Sequence, residues 1–250
     1  MNDEEIKVEA GKIYKAAYIG KQNVDESELK KINKYTIAPL TAEEVFTFKT
    51  LIGDNEADDR NYQPFTAKAL KDLAELYKGK TVIKNHRSLA ENQIARVYDT
   101  EIIVDSSRKN KIGEEHTELI GKCYMVRTES NKELIKEIEA GIKKEVSSGF
   151  SVDKAICSIC GKDNVIEYCR HWPGETYSKE GKDDTCLFWL DGAKEAYELS
   201  LVAIPAQPRA GTVKAFGEKA FFKYDLPLED KKETETKETT KEAEIDSTEL

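Results

Sequence analysis

Ser147, Ser148, His86 and Glu198 each stand in or beside a short apolar run: Val146–Phe150, Thr81–Asn85 and Tyr197–Ala206. A serine, an imidazole and a carboxylate are the side chains of a nucleophilic hydrolase. The imidazole takes the proton of the alcohol, and the acid orients the ring and stabilises its charged form. Triads are defined by geometry and not by chain order, so at this level either serine serves. Gly149, directly after the serines, permits close backbone approach and leaves amides available to an oxyanion. The bland alternatives are two serines at a strand start, a structural histidine and a rim carboxylate. Ser200, two residues past Glu198, shares its strand face and is a possible decoy.

The chain has three histidines, which shortens the search for a base. His86 alone follows an apolar run and sits among turn-forming residues. His116 lies in Gly113–Glu118, a strongly acidic stretch that reads as a solvated turn, and is expected to be exposed. His171 falls inside a cluster of cysteines.

That cluster is the second candidate site. Cys157 and Cys160 form a Cys-x2-Cys knuckle followed by Gly161, and Cys169, His171 and Cys186 follow within about 30 residues. Structural zinc takes four ligands, commonly four cysteines or three cysteines and a histidine. Five candidates for four places leave one surplus, His171 or Cys186. A segment so rich in Gly, Asp and Lys has too few apolar groups to fold unaided, and a structural zinc supplies the missing stabilisation. A closed cysteine-rich shell leaves no position for a catalytic water. Cys123 stands alone in an apolar run and reads as a small buried hydrophobe.

The elements that must position these residues follow from periodicity. Leu70, Leu73, Leu76 and Tyr77 recur at helical spacing, with Thr66 as N-cap and Gly79 as stop. A second amphipathic helix runs from Asn131 to Ile142. Strands are expected over Ile13–Ile19, Tyr35–Leu40, Ala42–Leu51, Thr81–Ile83, Ile94–Val104, Leu119–Val126, the serine run and 197–204. Many short strands with two convincing helices predict a mainly β, α+β fold, a barrel or sandwich decorated by helices.

With 250 residues, 39% hydrophobic and 35% charged, the chain can hold one large domain and a tail. Glu229–Leu250 is nearly all Lys, Glu, Thr and Asp, and disorder is expected there. The formal net charge of -9 argues against a direct nucleic-acid partner. No apolar run approaches the ~18 residues of a membrane span. The acidic first residues are unlike a signal peptide, so a cytosolic location is expected, where cysteines bind metal or stay free.

Asn85-His86, then Val146-Ser147-Ser148-Gly149-Phe150, then Glu198-Leu199-Ser200-Leu201-Val202-Ala203-Ile204-Pro205-Ala206 stand in a telling order. Together they resemble the motifs of the head-maturation (prohead) proteases of tailed bacteriophages, relatives of the herpesvirus assemblins. The motifs are a histidine after a strand, Ser-x-Gly-Phe, and Glu-x-Ser-x-Val-x-x-Pro-Ala, and one branch carries a Cys-x2-Cys insertion between the last two. The resemblance spans about Leu51 to Gly211. It implies Ser147 as nucleophile, His86 as general base and Glu198 as the acid that orients it. Ser148 stands where relatives usually have an aliphatic residue. It also implies an assemblin-like β-barrel core with flanking helices over residues 1–225, a zinc-knuckle insertion at 153–190, and a tail at 226–250. The implied activity is a serine endopeptidase that cleaves capsid and scaffold proteins, and finally itself, inside the assembling prohead in the host cytoplasm. A homodimer is implied as well, and Arg209 is the nearest arginine for an oxyanion. The competing function is a catalytically silent head-assembly protein that docks through its zinc module.

Overall fold

The computed structural model describes residues 24–179 and 181–213. The expected strand over Ile13–Ile19 and the acidic tail lie outside the described residues. Three helices and nine strands follow in chain order: α1 (Glu26–Ile32), β1 (Val45–Asp54), α2 (Ala67–Tyr77), β2 (Thr81–Lys84), β3 (Ala95–Lys109), β4 (Glu115–Val126), α3 (Lys132–Glu139), β5 (Val146–Cys157), β6 (Thr176–Lys179), β7 (Lys182–Thr185), β8 (Phe188–Leu201) and β9 (Gly211–Val213). Seven strands form one sheet in the order β5-β8-β2-β3-β4-β1-β9, and β6 and β7 form a separate hairpin. Every neighbouring pair is antiparallel except β2 and β8. The sheet curls into a half-barrel, and a bridge between Glu145 and Gly211 brings its two edges together. A Cβ on Gly211 would stand 2.8 Å from the Lys144 carbonyl, so only glycine lets the edges approach this closely.

The main core lies between α2 and the sheet. Leu70, Leu73 and Tyr77 of α2 are fully buried with Val82, Val97, Leu119, Val146 and Leu199. Each large apolar side chain buried this way contributes about 1.5–3 kcal/mol. Thr66 caps α2 as its sequence predicts: Oγ1 accepts from the Ala69 amide (3.1 Å) and donates to Asp191 of β8 (2.8 Å). The cap therefore fixes the helix to the strand that carries Glu198.

Two expectations fail. Tyr35–Leu40 is not a strand: Tyr35 closes a 3-10 turn (Asn33–Tyr35), and the Asn33 side chain folds the loop 36–40 back. Asn33 Oδ1 accepts from the Leu40 amide and Nδ2 donates to the Leu40 carbonyl. The acidic stretch around His116 is not a solvated turn. The turn is Asn110–Glu114, with Gly113 at φ +84°, and β4 begins at Glu115. His116 is therefore a strand residue, 3% exposed.

Candidate active site and candidate metal centre

His86 is held by a turn. The Arg87 amide donates to the Lys84 carbonyl (3.1 Å), and both central residues, Asn85 and His86, have φ of 53°. Left-handed φ at both positions is what a type I′ turn requires, and Asn and His tolerate it better than most residues. Such residues cost of order 1–2 kcal/mol each, so the surroundings must hold them. They do so through β8: the Asn85 amide donates to the Leu201 carbonyl (2.9 Å), and the His86 amide donates to the Ser200 hydroxyl (2.8 Å). Ser200, a decoy by sequence, is fully buried and positions the histidine.

The ring of His86 meets Glu198, with Nδ1 2.7 Å from Oε1. The imidazole is 45% exposed and the carboxylate 10%, so the base is open to a substrate while the acid stays dry. An Nδ1–H pointed at the acid leaves Nε2 as the acceptor on the open side. Glu198 Oε2 is buried without a partner among the described residues. Tyr77 supports the acid from beneath, its phenol donating to the Gly149 carbonyl (3.1 Å) and, more weakly, to the Glu198 carbonyl (3.4 Å).

Register separates the two serines. Ser147 pairs with Ser200 and Gly149 with Glu198, whereas Ser148 pairs with Leu199 and Val146 with Leu201. Directly opposed residues share a face, and the face alternates along each strand. Ser147 therefore stands on the face of Glu198 and the Ser200 hydroxyl that holds His86. Ser148 lies on the core face, where its hydroxyl meets the Tyr77 phenol, whose pKa burial pushes far up. Ser147, Ser148 and His86 all line one cavity of about 340 Å³, so it is the register and not the cavity that separates the serines. Ser147 Oγ makes no hydrogen bond to the ring among the described residues; hydroxyl–imidazole contacts of this kind often tighten only with substrate bound. Arg209 is engaged elsewhere, forking onto Asp54 at 2.7 and 2.8 Å and also onto Asp58.

The cysteines sit at the far end of the same hairpin. β5 runs into Cys157, which pairs with Phe188 of β8, so residues 158–187 form the hairpin's tip. Cys157, Cys160, Cys169 and His171 have ligand atoms all within 4.8 Å of one another. Ligands ~2.0–2.3 Å from one zinc stand about 3.5–3.8 Å apart on a tetrahedron, and Cys157 Sγ is 3.7 Å from His171 Nδ1. Three sulfurs and one imidazole nitrogen fit a structural metal such as zinc. Burial pushes the Cys169 thiol up, but bonds from Asn164 and His171 outweigh it and bring it down to about 6. Cys186 is the surplus candidate. It touches Cys157 (3.8 Å) but stands outside the group of four, and burial pushes its thiol up to about 12. Cys123 is fully buried and free, as expected.

His116 belongs to neither site. Nε2 is 3.2 Å from Glu118, and Nδ1 lies 2.8 Å from Glu56 as an oblique charge contact rather than an aligned hydrogen bond. The two carboxylates raise the imidazole pKa to about 9 against the opposing effect of burial. Of the acids that suggest solvation in the sequence only Glu118 meets the ring, and it is Glu118 together with the distant Glu56 that permits burial. Comparison with family models, curated proteins and solved structures gives no match.

Proposed function

We propose that this chain is a serine endopeptidase of the prohead type, with Ser147 as nucleophile, His86 as general base and Glu198 as the orienting acid. One observation carries the reading: His86 Nδ1 meets the buried Glu198 at 2.7 Å on the sheet face that Ser147 shares. Nε2 of His86 takes the Ser147 proton as Oγ attacks a peptide carbonyl. The imidazolium, stabilised by Glu198, then returns the proton to the leaving amine, and water releases the acyl group. The register shift at Gly149/Phe150 interrupts the ladder just past the serine, where amides are needed for the oxyanion. On this reading the half-barrel is an assemblin-like core, capsid and scaffold proteins inside the prohead are the substrates, and the enzyme works as a homodimer.

Incubation of the purified chain, followed by mass spectrometry, tests the assignment. Wild type and Ser148→Ala shorten themselves and cut co-expressed capsid protein, and Ser147→Ala stays intact. Loss of cleavage in Ser148→Ala with retention in Ser147→Ala overturns the serine assignment.

A second reading is the silent head-assembly protein, favoured by Ile166, Tyr168 and Trp172, which stand 73–88% exposed on the metal module. Full-length chains and uncut capsid protein in every arm of that experiment select it.

A further inference from the structure

We propose that the cavity beside Ser147 is a specificity pocket for a basic side chain, lysine or arginine, recognised by the carboxylate of Asp59. The inference rests on the acyl-transfer reading above and names the substrate class that the same site takes.

The cavity that holds Ser147 and His86 has apolar walls from Ile52, Phe65, Phe150 and Leu190, and Asp59 also lines it. Phe65 and Phe150 pack ring against ring at 5.0 Å, a rigid surface suited to the methylene stem of a long side chain. Asp59 is 6% exposed. Its Oδ1 accepts from the Asn61 amide (2.9 Å) and the Gln63 amide (3.0 Å), which shapes the loop. Its Oδ2 takes no hydrogen bond from the described residues. Loop shaping accounts for the first oxygen and leaves the second without a role.

The nearby cations do not neutralise it. Arg209 is committed to Asp54 and Asp58, and the Arg60 guanidinium donates to the Pro205 carbonyl. Arg209 is shared between two other carboxylates, and Asp59 forms no ion pair among the described residues. A buried carboxylate without a cation is costly, and a ligand that brings the cation removes that cost. Burial pushes the Asp59 pKa up, the Gln63 and Asn61 amides offset part of that, and the neighbouring Asp58 and Asp54 add to the rise. An apolar stem ending in a positive charge satisfies both the walls and the acid, whereas an acidic side chain is repelled.

Two diphenyl phosphonates test this on the full-length chain, one carrying a lysine side chain and one carrying norleucine, the same stem without the ammonium. The readout is the rate at which each modifies Ser147, followed by mass spectrometry. The lysine reagent is expected to react about ten- to a hundredfold faster, the range for a hydrogen bond to a charged group. In Asp59→Asn, which keeps an acceptor for the two loop amides, the ratio of the two rates falls to near one. Asp59→Glu, which keeps the charge, retains a preference for lysine. Equal rates in the wild type, or an unchanged ratio in Asp59→Asn, overturn the pocket while leaving the nucleophile assigned. If neither these reagents nor a simple fluorophosphonate marks Ser147, the acyl-transfer reading fails and the pocket proposal fails with it.

Discussion

A side-chain carbon on Gly149 would stand 2.5 Å from Oε1 of Glu198, the oxygen that holds His86. Glycine is required there because the acid lies across the backbone of the serine strand, not because the turn is tight. On the proposed acyl-transfer reading, Gly149→Ala should push the carboxylate off the imidazole and lower kcat by up to about 10⁴-fold, the loss seen when an orienting acid is disabled. The fold should survive, since Glu198 and not the main core absorbs the shift. An alanine variant with wild-type kcat would sink this account of the glycine.

Ser200 holds the histidine by its main chain, and Glu198 holds it by its ring. Ser200→Ala leaves a strained amide without its acceptor, a penalty of about 1–3 kcal/mol on the His86 turn. On the proposed acyl-transfer reading the expected result is a ten- to hundredfold fall in kcat with little change in KM, and recovery in Ser200→Thr, which keeps the hydroxyl. A loss that threonine does not recover would mark Ser200 as a packing residue only.

Much of this arrangement was legible in the sequence. Thr66, the leucines of α2 and Gly79 delimit a helix because capping and 3.6-residue periodicity are local signals. The serine, histidine and glutamate segments were legible as strands, and Cys-x2-Cys was legible as a knuckle. Pairing register is not local, and residue spacing alone does not fix it. Ser147 and Ser148 differ only in which face they present, and Ser200 changes from decoy to support only when β2 lies parallel to β8. His116 is hidden for a related reason, since Glu56 comes from the loop after β1, 60 positions earlier in the chain. Asp59 carried no signal at all, because an aspartate in an acidic loop looks solvated until the cavity is seen to close over it.

The metal module makes its own prediction. Protein purified without chelator should hold about one zinc per chain. Cys157→Ser should lose it and expose the hairpin tip to proteolysis, because the segment has little apolar core of its own. Cys186→Ala should keep the metal, since Cys186 stands outside the group of four. Metal loss in Cys186→Ala, with retention in His171→Ala, would reverse the choice of fourth ligand. The half-barrel should keep its melting transition in each case, because its core lies at the other end of β5 and β8.

His116 gives a stability that depends on pH. Its folded pKa of about 9 lies above the ordinary ~6.5, so the folded state binds the extra proton more tightly than the unfolded chain. The stabilisation is fully present below pH ~6.5 and is lost as pH rises through about 9. Glu118 and Glu56 face the ring, Arg108 opposes them from beside Glu56, and Asp54 adds to them. Urea unfolding across pH ~6 to ~9.5 should show the wild type losing about 2–3 kcal/mol more than His116→Gln over that range. The variant should start less stable, because the buried Glu118 loses its cation and the half-buried Glu56 is left with Arg108 alone. Parallel curves for the two proteins would mean that the imidazole is neutral throughout, and that the acids around it share a proton between themselves.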